Sequence, residues 1–524
     1  MNILTLLMPL APLLAALLIG GLHFFQFLRG ESGEKLTSRI GLTALGLSFL
    51  SALALAGAEW AGWRPSAVYD YGQWLHSGKL NIDLALKAGG FNLLLATLFS
   101  LLLLIVMRFS VNYLHKEAGF HRFFFILSLF SSAMSLLVLS ANALFTFLGW
   151  EVAGVCSYWL IAYAYDRPVA AHNAVRAFVT NRIGDGGFLL GISLALIWLE
   201  SADWQAINAE AAELTRNDAT LLALSFALAA FAKSAQVPFT PWLARALEGP
   251  TPSSAVFYGG VMIHAGVFLI IQLQPLFEQV PLAMLVLAGV GAITAFYGAW
   301  IALAQTDIKS SQAYAASAQL GLMFVECGLG WWTLASWHLA AHAVMRCYLL
   351  LTAPSILHAT HGRPIKPVPP FLANCRWAFT FALQRGWLEP ALDALLTKPT
   401  LRLARDMRTI DDRLIDPALG VPAPTMRAIS SLAQWEERKM GANLDSEEDR
   451  FAQGSGLAGK LAQWSSTLMS WFEYHFILRG LGRESIRIGR RLGRAANRFE
   501  HLLQSPRYLV LFVLIVLMAA LGYQ

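Results

Sequence analysis

The chain has 524 residues, 56% of them hydrophobic and 14% charged, with a formal net charge of +6 and a mean hydropathy of +0.52. That balance excludes an ordinary soluble domain and predicts an all-α polytopic membrane protein.

Crossing a bilayer as a helix takes about 20 consecutive apolar residues. Along the chain such stretches recur at 3–22, 36–57, 90–110, 121–139, 142–165, 174–199, 219–238, 253–274, 281–303, 310–328, 334–352 and 507–522, which predicts about twelve spans. The first lacks a basic leader and a small-residue cleavage site, so it reads as a retained helix. The four cysteines, Cys156, Cys327, Cys347 and Cys375, are scattered without CxxC spacing. They read as small hydrophobes, and neither a metal site nor a disulfide framework is expected. The expected organisation is N-terminal helices over 1–89, a core over 90–355, a basic amphipathic region over 356–506 and a closing span over 507–524.

The basic region carries most of the excess charge. "RESIRIGRRLGRAANRFE" holds six arginines against two glutamates, and by the positive-inside tendency this part faces the cytoplasm. In "LRLARDMRTIDDRLID" the residues Leu401, Leu403, Met407, Ile410, Leu414 and Ile415 fall near one helical stripe, the pattern of a helix lying on a membrane or along a partner. Because the arginines alternate with apolar residues and follow a membrane domain, nucleic acid is not an expected partner.

Charges inside the spans say more. An ionisable side chain in the bilayer costs a few kcal/mol even on the lenient insertion scale, so it usually faces a protein interior or a hydrated path. Glu151, Lys233, His264 and the group "WHLAAHAVMR" stand out. In that group His338, His342 and Arg346 recur every fourth residue, which places them on one helix face. Pro238 and Pro241 follow Lys233 and predict a broken helix, which membranes tolerate only where it lines protein or water. "GDGGF" at 184–188 lies within a span and reads as a close-packing device. No nucleotide loop, zinc triad or nucleophile motif is present, so no cofactor, metal or independent catalytic site is expected.

"FLGWEVAGVCSYWLIAYAYDRP", "AVRAFVTNRIGDGGFLLGI", "FAKSAQVPFTPWL", "GPTPSSAVFY", "DIKSSQAYAASAQLGLMFVECG" and "WHLAAHAVMRCYLLL" occur in that order. Together they resemble the antiporter-like, proton-conducting subunits of respiratory complex I and of Mrp sodium/proton antiporters over about residues 90–355. The resemblance implies an inverted-repeat helical fold, a proton path in which Glu151 pairs with Lys233 and His338 and His342 continue a hydrated axis, no bound cofactor, and a bacterial cell membrane as the location. Several positions depart from the family pattern: Thr240 and Tyr258 stand where histidines are usual, Arg245 replaces an aspartate, Arg346 replaces a lysine, His264 lies two turns later than expected, and Glu326 is an extra carboxylate.

The later half of the repeat is shortened, since the chain leaves the membrane after about residue 355 in "ILHATHGRPIKPVPPF". Shortened relatives pair with a cytoplasmic zinc protein similar to a β-carbonic anhydrase in DAB-type inorganic-carbon complexes, and that pairing is the expectation here. The alternatives are a complex I or related redox-complex subunit, an Mrp-type exchanger moving protons or Na+, and a non-conducting scaffold. For the way out of the path the sequence offers Glu326, His358 and His361.

Overall fold

The computed structural model describes residues 1–63, 68–77, 80–305, 307–360 and 368–410. The side chain of His358, the residue His361, the basic stretch to 506 and the expected span at 507–522 lie outside the described residues. The chain divides into two compact units, Met1–Lys398 and Pro399–Gln524.

Eleven of the expected membrane segments are helical. They are α1 (Asn2–Phe24), α2 (Gly30–Trp60), α3 (Gly90–Tyr113), α4 (Phe120–Leu139), α5 (Ala143–Ile161), α6 (Pro168–Trp198), α8 (Arg216–Lys233), the segment Thr251–Gln272, α13 (Pro281–Ala302), α14 (Ile308–Gly328) and α15 (Trp332–Thr360). Seven of these are apolar enough to cross a membrane by length and composition alone. The other four, α6, α8, α14 and α15, carry most of the ionisable residues discussed below.

With lipid on one side and protein on the other there is little hydrophobic force between helices, so close packing has to come from small residues. A Cβ on Gly149 of α5 would lie 2.6 Å from the Ala133 carbonyl of α4. On α6, a Cβ on Gly184 would lie 2.5 Å from the Ala232 Cβ of α8. Gly187 packs likewise, its Cβ position 2.8 Å from the Ser225 carbonyl, whereas Gly186 has nothing within 4 Å, so two of the three glycines of "GDGGF" do the packing their spacing indicates.

The chain is not wholly helical. Val68–Ser77 (β1) and Leu80–Lys87 (β2) form an antiparallel hairpin with Val68 opposite Lys87. Its strands alternate partly, as in "LNIDLALK". The hairpin sits at the helix ends that include residue 2: Tyr71 donates to the Asn2 carbonyl at 2.7 Å, and the Ala141 amide donates to the Ala85 carbonyl at 3.0 Å. The short helix α7 (Trp204–Glu210) lies at the same end, joined there by the Trp204 amide bonding the Ala141 carbonyl.

Among the described residues this end carries Lys87 and Arg216, whereas the opposite end carries Arg29, Lys35, Arg39, Arg108, Lys116, Arg122, Arg167 and Lys309. Among the described residues the excess of Lys and Arg therefore lies at the second end.

Beyond α15 the first unit continues at the basic end as short helices, α16 (Pro370–Ala373), α17 (Arg376–Leu383) and α18 (Leu388–Leu392). Trp377 and Phe381 pack on Trp300 of α13. Glu389 is held by Arg245, by Arg176 at 3.2 Å and by Arg385 at 4.0 Å, while Asp393 also binds Arg176. In the second unit the described residues are 399–410, which belong to α19 (Lys398–Ile410), with Leu403 and Met407 exposed.

Candidate ion-translocation site

Two buried polar clusters hold nearly all of the singled-out residues. The first lies where α5, α6 and the end of α8 meet. Helix α5 begins cleanly because the Asn142 side chain accepts from the Phe145 amide at 2.9 Å, satisfying one of the free donors of its first turn. Two turns further on come Trp150 and Glu151. Lys233 ends α8 and is 1% exposed.

The expected contact between Glu151 and Lys233 does not form, and the partner of Glu151 is Arg182 of α6. The Arg182 Nη1 lies 2.5 Å from Glu151 Oε2 and its Nη2 lies 2.7 Å from Asp185 Oδ2. Asp185 accepts in addition from the Trp150 ring nitrogen at 2.7 Å. One planar guanidinium thus joins two carboxylates, which a compact ammonium does poorly. Lys233 Nζ instead donates to the Trp150 carbonyl at 3.2 Å and stands 4.8 Å from the centre of the Trp150 ring.

Both cations face Gly154, where a Cβ would lie 3.4 Å from Lys233 Nζ and 3.5 Å from Arg182 Nη2. A cavity of about 10 Å³ lined by Gly154, Ser157, Asn181, Arg182, Lys233 and Met262 sits between them, about the room that one water occupies.

After Lys233 the helix opens, as Pro238 and Pro241 indicated, and Pro241 starts the short α9 (Pro241–Arg245). The freed backbone is bonded by side chains. Ser317 donates to the Ala235 carbonyl at 3.1 Å, Trp242 donates to the Ala232 carbonyl at 2.9 Å, and Thr294 accepts from the Val237 amide at 3.0 Å. Ala235 itself has φ +51.

A second break was not legible in the sequence. Thr251–Gln272 runs as a short α10 (Thr251–Ser254), a π turn over Ala255–Gly260, a 3-10 turn over Met262–His264 and α11 (Ala265–Gln272). Its signal is the pair Gly259–Gly260, which lies against Arg346 and Cys347 of α15. The two breaks touch, since Ser234, next to Lys233, donates to the Ile263 carbonyl, next to His264, at 2.7 Å.

The second cluster starts from His264, which is fully buried. His264 Nε2 and His342 Nδ1 share a hydrogen bond of 2.8 Å, and Arg346 Nε donates to His342 Nε2 at 3.1 Å. Arg346 Nη1 also reaches the Gln312 carbonyl at 3.4 Å. The rings of His338 and His342 are 6.2 Å apart. Beyond them His338 Nδ1 meets Glu326 Oε1 at 2.8 Å and His338 Nε2 meets Gln319 Oε1 at 3.0 Å. The face carrying His338, His342 and Arg346 is therefore turned to protein and adjoins Glu326. Tyr258 stays outside this set and packs edge-on against Trp242, 6.1 Å between ring centres.

Residues 140–367 match the family described as "NADH:quinone oxidoreductase/Mrp antiporter, TM", and residues 74–124 match "NADH-Ubiquinone oxidoreductase (complex I), chain 5 N-terminus". Both clusters fall inside the first match. This chain belongs to the antiporter-like family of complex I and Mrp membrane subunits.

Within that antiporter-like family it is similar to a Picosynechococcus protein named NAD(P)H-quinone oxidoreductase chain 5, 39% identical over 365 residues, covering 67% of this chain and 54% of that protein. It is also similar to the Rhodobacter capsulatus NADH-quinone oxidoreductase subunit L, 40% identical over 305 residues, covering 55% of this chain and 43% of the relative. The chain spans about half the length of the curated relatives it matches. Among solved structures, the Mrp complex from Dietzia shares the fold with a TM-score of 0.60 at 21% identity, over 98% of this chain and 62% of that one. An archaeal membrane-bound sulfane sulfur reductase does so with a TM-score of 0.59 at 17% identity, over 74% and 80%.

Proposed function

We propose that this chain is a proton-translocating subunit of a hetero-oligomeric complex in a bacterial cell membrane, coupling an ion gradient to a cytoplasmic partner that accumulates inorganic carbon. The observation that carries the translocation reading is the placement of Lys233. A nearly unexposed ammonium stands at an opened helix end, and the next titratable groups, His264, His342, His338 and Glu326, follow in a row across the turn before α11, then α15 and α14. Burying charge at this depth costs several kcal/mol, and a protein that only anchored a partner has no use for it.

The groups themselves favour protons over Na+. Imidazoles bind and release protons near physiological pH, whereas a hard cation needs a shell of oxygens, and the carboxylates of the first cluster are occupied by Arg182.

A cytoplasmic partner is favoured by the segment 376–393, which lies on the basic end and is fixed there by Glu389 and Asp393. A second reading, the membrane arm of a quinone oxidoreductase, is favoured by what the similar proteins are named.

The test is affinity purification of the full chain from its native membrane, with identification of the subunits that accompany it. A zinc-containing cytoplasmic protein supports the carbon reading, and flavin or iron–sulfur subunits support the redox reading. Recovery of the chain alone from intact membranes contradicts both.

A further inference from the structure

The geometry points to Arg346 as a positioning residue that fixes which nitrogen of His342 carries the proton, so that His342 donates to His264 and cannot take up a proton through its far nitrogen until Arg346 moves away. The inference rests on the proton-path reading above and adds a direction and a lock to it.

It follows from what each atom is able to do. The Nε of arginine always bears hydrogen and never accepts. It lies 3.1 Å from His342 Nε2, so His342 Nε2 is the acceptor and carries no proton. The proton of the neutral His342 ring is then on Nδ1, and the 2.8 Å bond to His264 runs from His342 Nδ1–H to His264 Nε2. The ring proton of His264 falls in turn on Nδ1.

A histidine relays a proton by accepting it on one nitrogen while releasing another from the opposite one. For His342 this means gaining a proton on Nε2, from the side of His338, and passing the Nδ1 proton to His264 Nε2. With Arg346 on Nε2 the first half has no lone pair to use, and an unprotonated Nδ1 would leave an imidazolate. Arg346 is also tied to the Gln312 carbonyl at 3.4 Å, a bond that must be given up if the side chain swings aside. Besides the Gly260 and Val261 backbone beside His264, the described side chains facing the pair are His338, with Glu326 beyond it, on one side, and on the other Phe99, whose ring centre is 6.5 Å from that of His264. Neither supplies another hydrogen-bond donor to His342 Nε2.

Arg346 carries a guanidinium, which stays charged. In the structure its hydrogen-bonding direction matters as much as its charge, and a lysine, with one donor-bearing nitrogen within reach, keeps the direction but not the second tie.

The test is nitrogen-15 NMR of histidine-labelled full-length protein in lipid near neutral pH, with the His342 signals identified as those absent from His342→Gln. The expected wild-type result is a bare Nε2 and a protonated Nδ1 at His342. Arg346→Met is expected to give His342 a population protonated on Nε2, and Arg346→Lys to restore the wild-type pattern. A wild-type His342 protonated on Nε2, or an Arg346→Met spectrum identical to wild type, overturns the inference. Proton flux is read separately on the same samples: an inactive protein with the expected tautomer contradicts the path reading alone, and an active one with the opposite tautomer contradicts this inference alone.

Discussion

Replacing Arg182 by methionine separates the two cations of the first cluster. In the wild type Arg182 contacts both Glu151 and Asp185, whose side chains are 15% and 4% exposed. Removing one member of a buried ion pair costs about 3–5 kcal/mol, since the remaining charge is left unpaired. Arg182 is itself 30% exposed, so water screens part of this and about 2–3 kcal/mol is expected.

For Lys233→Met the balance is different. One hydrogen bond from a charged donor, worth about 1.5–3 kcal/mol, is lost, but the desolvation of an ammonium, several kcal/mol, is relieved. Stability should stay level or rise. Thermal unfolding of the purified protein in detergent measures both. The double variant Arg182→Met with Glu151→Gln should recover at least half of the loss. A stable Arg182→Met together with a strongly destabilised Lys233→Met would refute the assignment of Arg182 as the partner of Glu151.

Four further outcomes are expected. Gly149→Ala puts a Cβ 2.6 Å from the Ala133 carbonyl and 2.7 Å from the Leu137 amide, so the α4–α5 contact should open at a cost of about 1–3 kcal/mol. Gly289→Ala, with nothing within 4 Å, should change stability by less than about 1 kcal/mol in the same melt. Glu389→Ala removes the acceptor shared by Arg176, Arg245 and Arg385, and hydrogen exchange over 376–392 should quicken while α13 and α14 stay protected. Burial and then the nearby Asp83 push the Asp203 carboxyl above its usual range. The folded state thus holds that proton more tightly than the unfolded one, and stability falls as pH rises from the ordinary carboxylate range through the raised value. Asp203→Asn should flatten this slope, measured as melting temperature against pH. Because Asp203 is exposed, solvent screens it and the difference should stay below about 1 kcal/mol.

The membrane segments were legible because lipid demands length and hydrophobicity, and the eleven that fall within the described residues lie where the apolar runs put them. Lys233, His264, His338 and His342 were legible as charges or imidazoles in apolar surroundings, and Pro238 and Pro241 announced the break.

Arg182 and Asp185 were missed although the same argument applies to them. They lie beside three glycines, and the glycine spacing was read while the charges between were not. The second break has no proline, and only Gly259–Gly260 marks it. The hairpin at 68–87 alternates too irregularly to stand out, with register shifts at Gln73. Which carboxylate meets which cation depends on how α5, α6 and α8 rotate against each other, and helical periodicity does not encode that rotation.

The central claim is that charge moves through Lys233 and the histidine row. Its most direct test is proton flux into vesicles containing the purified complex, followed with a pH-sensitive dye after a gradient is imposed, for the wild type, Lys233→Met and His342→Gln. The account predicts flux in the wild type and its loss in both variants, with the melting temperature of Lys233→Met unchanged or raised. Wild-type flux in Lys233→Met would contradict it.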